Sequence, residues 1–170
     1  LSRGLGDVYK RQISIETLRK KTNSELKPFF HNKPQDVTEE NVQSRLRGLL
    51  LMSISNKFNS LLITTGNKSE LAIGYSTLYG DMCGGFSLIK DLYKTQVFEL
   101  SKWRNKIIPD FCNFKKKGLI PESIILKEPS AELKMNQKDE DSLPKYSVLD
   151  KILELIVDKN YDLQSIKKYG

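Results

Sequence analysis

An apolar run that begins at Ser60 ends on Thr64 and Thr65, and Gly66 and Asn67 follow at once. In open α/β sheets, ligands bind beyond the carboxyl ends of the strands, so the two hydroxyls stand where a ligand would be met. Gly66 lets the backbone come close to a bound group. A helix opening at Asn67 offers free N–H groups to an anion. A nucleotide phosphate or an adenosine end suits such a turn, although an ordinary strand–Gly–helix connection reads the same way.

Further polar residues could join that chemistry. Glu70 completes a capping-box pattern with Asn67. The same carboxylate beside a phosphate could hold Mg²⁺, which favours oxygen ligands and bridges carboxylates to phosphates. Lys94 opens a helix after a strand, where it could neutralise phosphate charge beside the helix dipole, or serve as a surface lysine. Asn41 and Arg45 are spaced i, i+4 and can point at one target, or simply form a polar helix face. Ser130, after Pro129, could be a polar contact or a plain N-cap.

The surrounding pattern must position these side chains. Ile15, Leu18, Leu26 and Phe29 permit a helix from Ile13 to Phe30, broken by Pro28. Asp36 or Thr38 can cap a second helix, whose Val42, Leu46, Leu49, Leu50 and Ile54 form an apolar stripe reaching about Asn56. Ser60 to Thr65 reads as a short buried strand, and FSLIKD as another. YKTQVFELSKWRNKI reads as a helix, and SIILKEPSAEL as a third short strand or extended turn. NQKDEDSLPKY is a polar loop. Val148, Leu149, Ile152, Leu155 and Ile156 predict a last long helix, with DLQSIKKY adding one more. Strands alternating with helices predict a parallel sheet with flanking helices, and two or three strands make only part of an α/β domain.

Composition bounds the rest. The 170 residues, 38% hydrophobic, suit one domain with a core. The net charge of +7 welcomes anionic ligands, but its lysines are scattered, and Lys115-Lys116-Lys117 is their longest run. Aromatic and basic residues do not interleave as in RNA-binding modules, so no nucleic-acid partner is expected. Cys83 and Cys112 lie far apart without CxxC spacing or a nearby histidine, which fits a reducing cytoplasm rather than a zinc site. His31 is the single histidine, which leaves little room for histidine-based catalysis. No apolar stretch approaches the roughly 20 residues of a membrane span, so no membrane partner is expected. The opening LSRGLGDVYKRQ follows neither a helical nor a strand period and lacks the apolar segment of a secretory signal. Residues 1–12 therefore read as a non-native or disordered leader, either a cloning or assembly scar or a frayed terminus.

In order, EENVQSRLRG, TTGNKSE, GYSTLYGDMCGGFSLIKDLYKTQVFELSKWRN, KEPSAEL and QKDEDSLP resemble the motifs of NAD⁺ synthetases. The form LYGDMCGGFSLIKD resembles the glutamine-dependent type, and the match runs from about Ile13 to Tyr161. The resemblance implies that 13–170 is part of an ATP-pyrophosphatase-type synthetase domain. Its fold would be an incomplete, adenine nucleotide alpha-hydrolase-like (Rossmann-like) α/β sheet. The implied enzyme is a carbon–nitrogen ligase. ATP, the co-substrate, adenylates the carboxylate of deamido-NAD⁺ with release of pyrophosphate. Ammonia, supplied from glutamine by a separate amidase domain, then displaces AMP to give NAD⁺. Mg²⁺ is the implied metal, offsetting phosphate charge.

Carried over by position, Thr65, Lys94 and Ser130 resemble the family's ATP-contacting residues. Asn41, Arg45 and Glu70 fall on positions used toward deamido-NAD⁺, and Glu70 also resembles the metal carboxylate. The family implies a homo-oligomer, at least a dimer. Its SGGxDS pyrophosphate loop should precede Ile13, and residues 1–12 carry no such motif. The amidase domain is likewise outside the match, so this polypeptide alone is expected to be inactive. The competing readings are an inactive fragment, a basic nucleic-acid-binding or scaffold module, or another ATP-pyrophosphatase ligase such as a tRNA-thiolating enzyme.

Overall fold

In chain order the elements are β1 (Ser2–Arg3), β2 (Tyr9–Lys10), α1 (Glu16–Leu26), α2 (Val37–Phe58), β3 (Ile63–Thr64), α3 (Lys68–Ala72), β4 (Phe86–Ser87), α4 (Lys94–Lys106), α5 (Glu122–Ile125), α6 (Tyr146–Leu153) and α7 (Leu163–Ile166). The computed structural model describes residues 2–3, 9–112 and 115–168. Its packing separates two units, one made of Leu1–Lys33 and Phe98–Lys127, the other of Pro34–Val97 and Glu128–Gly170. Among the described residues, no helix is long and apolar enough to cross a membrane.

In the first unit β1 and β2 pair antiparallel, with Ser2 opposite Lys10. Glu16 opens α1 and holds Arg19 at 2.9 and 3.0 Å, one turn along. The helix does not run on to Phe30. It tightens into a 3-10 turn over Lys27–Phe30, with Pro28 in the first positions, where a missing N–H costs nothing. The carboxamide of Asn105 pairs with the backbone of Ile120 in both directions, at 2.8 and 2.9 Å. The strand or extended turn expected at SIILKEPSAEL is instead helical at its start, as α5. Pro121 holds the N-cap position, its carbonyl accepts from Ile124 N at 2.9 Å, and Glu122 favours the first turn. These local starts outweigh the β-propensity of two isoleucines.

The second unit carries a parallel pair of strands. Ile63 aligns with Phe86 and Thr64 with Ser87, and the Thr64 hydroxyl donates to Ser87 Oγ at 2.9 Å. The expected buried strand is shorter and more open than its sequence suggests. Thr64 is buried, but Ile63 is 47% exposed. Helix α2 starts at a full capping box, where Asp36 accepts from Thr38 N at 2.7 Å and Glu39 reaches back to Asp36 N at 2.9 Å. Its apolar stripe is only partly covered, with Val42, Leu46 and Leu50 half-buried. Leu49 is 60% exposed, whereas the buried positions are Ser44 and Gly48. Small residues win there because a loop backbone packs directly against them.

The hydrophobic core of this unit joins Tyr93 with Tyr146, Leu149 and Leu153 of α6, and Ile73 and Leu143 pack on it. After Leu153 the helix widens into a π-helical turn over Glu154–Asp158. The polar loop before α6 holds a 3-10 turn, Asp139–Asp141, and Asp139 within it is buried.

Candidate functional site

Helix α2 meets the loop of residues 77–83 through hydrogen bonds and bare backbone. The Ser44 hydroxyl donates to Asp81 Oδ1 at 3.1 Å and accepts from Asp81 N at 3.0 Å. Thr77 N donates to the same carboxylate oxygen at 2.7 Å, and the Thr77 hydroxyl donates to Asn41 Oδ1 at 2.9 Å. The approach leaves no room for side chains at two glycines. A Cβ on Gly48 would stand 2.8 Å from Tyr79 O and 2.9 Å from Gly80 O, and one on Gly80 would stand 2.2 Å from Ser44 Oγ.

Helix α3 is built by the expected capping box. Asn67 Oδ1 accepts from Glu70 N at 3.0 Å, and Glu70 Oε2 accepts from Asn67 N at 3.3 Å. The other oxygen of Glu70 accepts from Lys94 Nζ at 2.8 Å, with both side chains about one-fifth exposed (19% and 20%). Glu70 therefore caps the helix and pairs with a cation together. Lys94 is the first residue of α4, its ammonium 5.5 Å from the centre of the Tyr146 ring.

Beneath that pair lies a buried polar link that local spacing does not reveal. Ser69, fully buried, donates to Asp150 Oδ1 at 2.6 Å and accepts from Lys94 N at 2.8 Å. Asp150 Oδ2 accepts from Thr95 N at 2.9 Å. Asp139 forms a second buried group. It accepts from the Tyr146 hydroxyl at 2.8 Å, its N–H donates to Pro129 O at 2.9 Å, and its Oδ1 is buried without a hydrogen-bond partner among the described residues. Burial, then the Asp139 carboxylate, push the Tyr75 phenol up to about 12. Burial and the hydrogen bond to Asp139 drive the Tyr146 phenol in the same direction.

A cavity of about 690 Å³ brings these parts together, a size suited to a small-molecule ligand. Asn41, Thr65, Gly66, Glu70, Lys94 and Ser130 all face it. Thr65 and Gly66 follow the end of β3, and a Cβ on Gly66 would meet nothing within 4 Å, so the backbone is open there. Arg45 is not part of the lining. It is exposed, and its Nε donates to Leu78 O at 3.2 Å, while Arg47 takes a place in the wall. Ser130 caps no helix; its hydroxyl accepts from Glu132 N at 3.1 Å in a turn. Asp81, Gln137 and Asp139 are wall or wall-supporting residues that the sequence did not single out. Their signal, a Gly-rich loop and an acidic run, is generic.

Among the described residues, no three His, Cys, Asp or Glu side chains gather as a metal cage. Glu70 already faces an ammonium, and Glu40, Asp81 and Asp139 stand elsewhere in the same wall. Such a set does not suit a cage made of protein alone, but fits Mg²⁺ held mostly by phosphate oxygens and water with one protein carboxylate. Chemically, the cavity offers the Lys94 ammonium, the Arg47 guanidinium, an open backbone turn and hydroxyls beside the carboxylates of Glu40, Glu70, Asp81 and Asp139, which suits a polar ligand whose anionic group lies at Lys94.

Residues 3–169 match a family model described as NAD synthase. The chain is 51% identical over 158 residues to a glutamine-dependent NAD(+) synthetase of Rhodobacter capsulatus, which covers 93% of this chain and 29% of the relative. It therefore spans less than a third of that relative's length. A solved glutamine-dependent NAD⁺ synthetase from Acinetobacter baumannii, in complex with ADP, is similar with a TM-score of 0.61 at 44% identity, over 92% of this chain and 26% of that one. The NMN synthetase of Francisella tularensis is similar with a TM-score of 0.69 at 30% identity, over 84% of this chain and 52% of that one. These likenesses place the fold among the adenine nucleotide alpha-hydrolase-like α/β folds.

Proposed function

The chain belongs to the NAD synthase family, and we propose that its cavity is part of the site where a carbon–nitrogen ligase converts deamido-NAD⁺ to NAD⁺ at the expense of ATP. The observation that carries this reading is the Lys94–Glu70 pair, 2.8 Å apart inside the cavity beside Thr65 and Gly66. An ammonium held by one carboxylate can exchange that partner for phosphate oxygens, which accept a charge-assisted bond of the same kind.

Thr65, Lys94 and Ser130 receive ATP in this reading, and Asn41 and Glu70 face the deamido-NAD⁺ end. The ADP complex of the Acinetobacter baumannii relative supports an adenine nucleotide here. ATP transfers its adenylyl group to the nicotinate carboxylate and pyrophosphate leaves; ammonia then attacks the acyl carbon and AMP leaves. Positioning and charge stabilisation do this work, with no side-chain nucleophile. Mg²⁺, when bound, neutralises phosphate charge, and Glu70 is the residue of this chain that would hold it after Lys94 has moved to the phosphates. Ammonia would come from glutamine in an amidase domain, as the names of the longer relatives suggest. A homo-oligomer is supported by exposed apolar residues on α2 such as Leu49 and Phe58. The free thiols Cys83 and Cys112 support a cytoplasmic setting.

The test uses a protein carrying this chain at its relatives' full length. With ATP, ammonia and deamido-NAD⁺ it should form NAD⁺, and Lys94→Gln should lower that rate by about 10²-fold. Formation of nicotinamide mononucleotide from the mononucleotide acid, with deamido-NAD⁺ ignored, would replace the dinucleotide substrate. A Lys94→Gln protein with undiminished turnover would remove the phosphate role.

A further inference from the structure

We propose that Asp150, acting through Ser69, is a positioning residue that sets where the Lys94 ammonium reaches; the role rests on the phosphate-binding reading of Lys94 given above. Helix α4 opens without a local cap for its first donors. The residue before it is Tyr93, whose own N–H donates to Gln96 Oε1 at 2.9 Å and whose phenol donates to Asp158 Oδ2 at 3.0 Å. The exposed donors at a helix start are ordinarily met by a neighbouring Ser, Thr, Asp or Asn side chain. Here the partners come from elsewhere in the chain. Lys94 N donates to Ser69 Oγ at 2.8 Å, Thr95 N to Asp150 Oδ2 at 2.9 Å, and Ser69 Oγ to Asp150 Oδ1 at 2.6 Å.

That wiring has a consequence for the cavity. Ser69 and Glu70 are adjacent in α3. Ser69 grips the backbone of Lys94, and Glu70 grips its ammonium at 2.8 Å. Both ends of one lysine are therefore referenced to the same turn of helix, and Asp150 locks that turn from α6. Asp150 is 5% exposed and Ser69 0%, so water does not compete for these bonds. The carboxylate also faces the positive end of α4, where its charge is favoured. A local Ser or Asp cap would satisfy the same donors but would let α4 slide relative to α3. The distant carboxylate forbids that motion, and Lys94 can leave Glu70 for a phosphate only by rotating its side chain.

A double-mutant cycle tests this in a protein carrying this chain at its relatives' full length, with ATP varied at saturating co-substrates. Asp150→Asn should lower kcat/KM for ATP by roughly 10–100-fold, the scale of an ångström misplacement. In a Lys94→Gln background the same substitution should have almost no further effect, because the group it positions is gone. A residue that merely stabilises the fold would lower the rate equally in both backgrounds, and that additive result overturns the proposal. So does wild-type activity in Asp150→Asn. Should Asp150→Asn fail to fold by circular dichroism and thermal melting, Ser69→Ala carries the same cycle with the same two outcomes. If Lys94→Gln alone retains full activity, the phosphate reading itself fails. An impaired Lys94→Gln with additive Asp150→Asn overturns the positioning role alone.

Discussion

Lys94 Nζ and Glu70 Oε1 stand 2.8 Å apart, and each residue belongs to the first turn of its own helix. Glu70 thus has two occupations, since its other oxygen closes the capping box on Asn67. The capping contact fixes the carboxylate, the carboxylate fixes the ammonium, and both face one cavity. The backbone points from which both charges reach are fixed, so only the Lys94 side chain has to turn when a phosphate arrives, and little else reorganises.

The two occupations of Glu70 separate in Glu70→Gln. A glutamine still completes a capping box, so the helix start should survive and the melting temperature should fall only by what the ion pair with Lys94 contributes. The charge that holds Lys94 and would face Mg²⁺ disappears, and turnover should fall by about 10²-fold. Steady-state rates beside a melting curve decide this. Near-normal turnover would reduce Glu70 to a cap.

Asn41 and Arg45 share a helix face but not a fate. Asn41 lines the cavity beside Thr77, while Arg45 lies outside it and donates to Leu78 O at 3.2 Å. Asn41→Ala should raise KM for deamido-NAD⁺ about 10-fold and leave KM for ATP nearly alone, as expected when binding contacts to one substrate are lost. Arg45→Ala should have the smaller effect on both. A reversed order in the two KM series would return Arg45 to the dinucleotide.

What the sequence revealed follows the range of the physics involved. The N-cap at Asp36, one of two positions the sequence offers, and the capping box at Asn67 are chemistry within one helical turn, and both form in the structure. Asn41, Thr65, Glu70, Lys94 and Ser130 stand out separately by type and position, and they face one cavity. Ser69 and Asp150 were invisible because their partnership spans 81 residues, a distance at which spacing carries no information. Asp139 hid in an acidic run that resembles a solvated loop, yet it is 3% exposed. The stripe on α2 marks the helix but not its tightest contact. Helical period identifies which residues share a face, but the face that packs most closely here is the one bearing Ser44 and Gly48.

Gly48 makes a sharp test of that packing. Alanine is ordinarily the better helix residue by roughly 1 kcal/mol. Here its methyl would meet two carbonyl oxygens and Cys83 Sγ at 2.8–2.9 Å, and backbone cannot swing aside as a side-chain tip can. Gly48→Ala should therefore destabilise by about 1–3 kcal/mol, the usual cost of overpacking. It should also disturb the 77–83 loop that holds Asn41 through Thr77. Urea denaturation of the variant measures the first effect and KM for deamido-NAD⁺ the second; a stabilised variant would contradict the close approach.

Alkaline pH should probe the phenols around Asp139. Burial and the neighbouring carboxylate hold the Tyr75 phenol up to about 12 in the folded protein, against an ordinary value of 10.0. The folded state therefore favours the neutral phenol. That contribution is fully present below pH 10 and is lost as the pH climbs from 10 toward 12, where the unfolded chain releases a proton that the folded chain keeps. Tyr75→Phe cannot ionise, so its stability relative to wild type should be flat below about pH 9 and should then rise by about 1–2 kcal/mol. Tyr146, pushed in the same direction by burial and its bond to Asp139, should add to the wild-type decline, and Tyr146→Phe should likewise soften it. Melting curves across the alkaline range, read beside the ultraviolet absorbance of tyrosinate, measure both. Parallel stability curves for wild type and Tyr75→Phe through pH 12 would mean that Tyr75 ionises as freely in the fold as in the open chain.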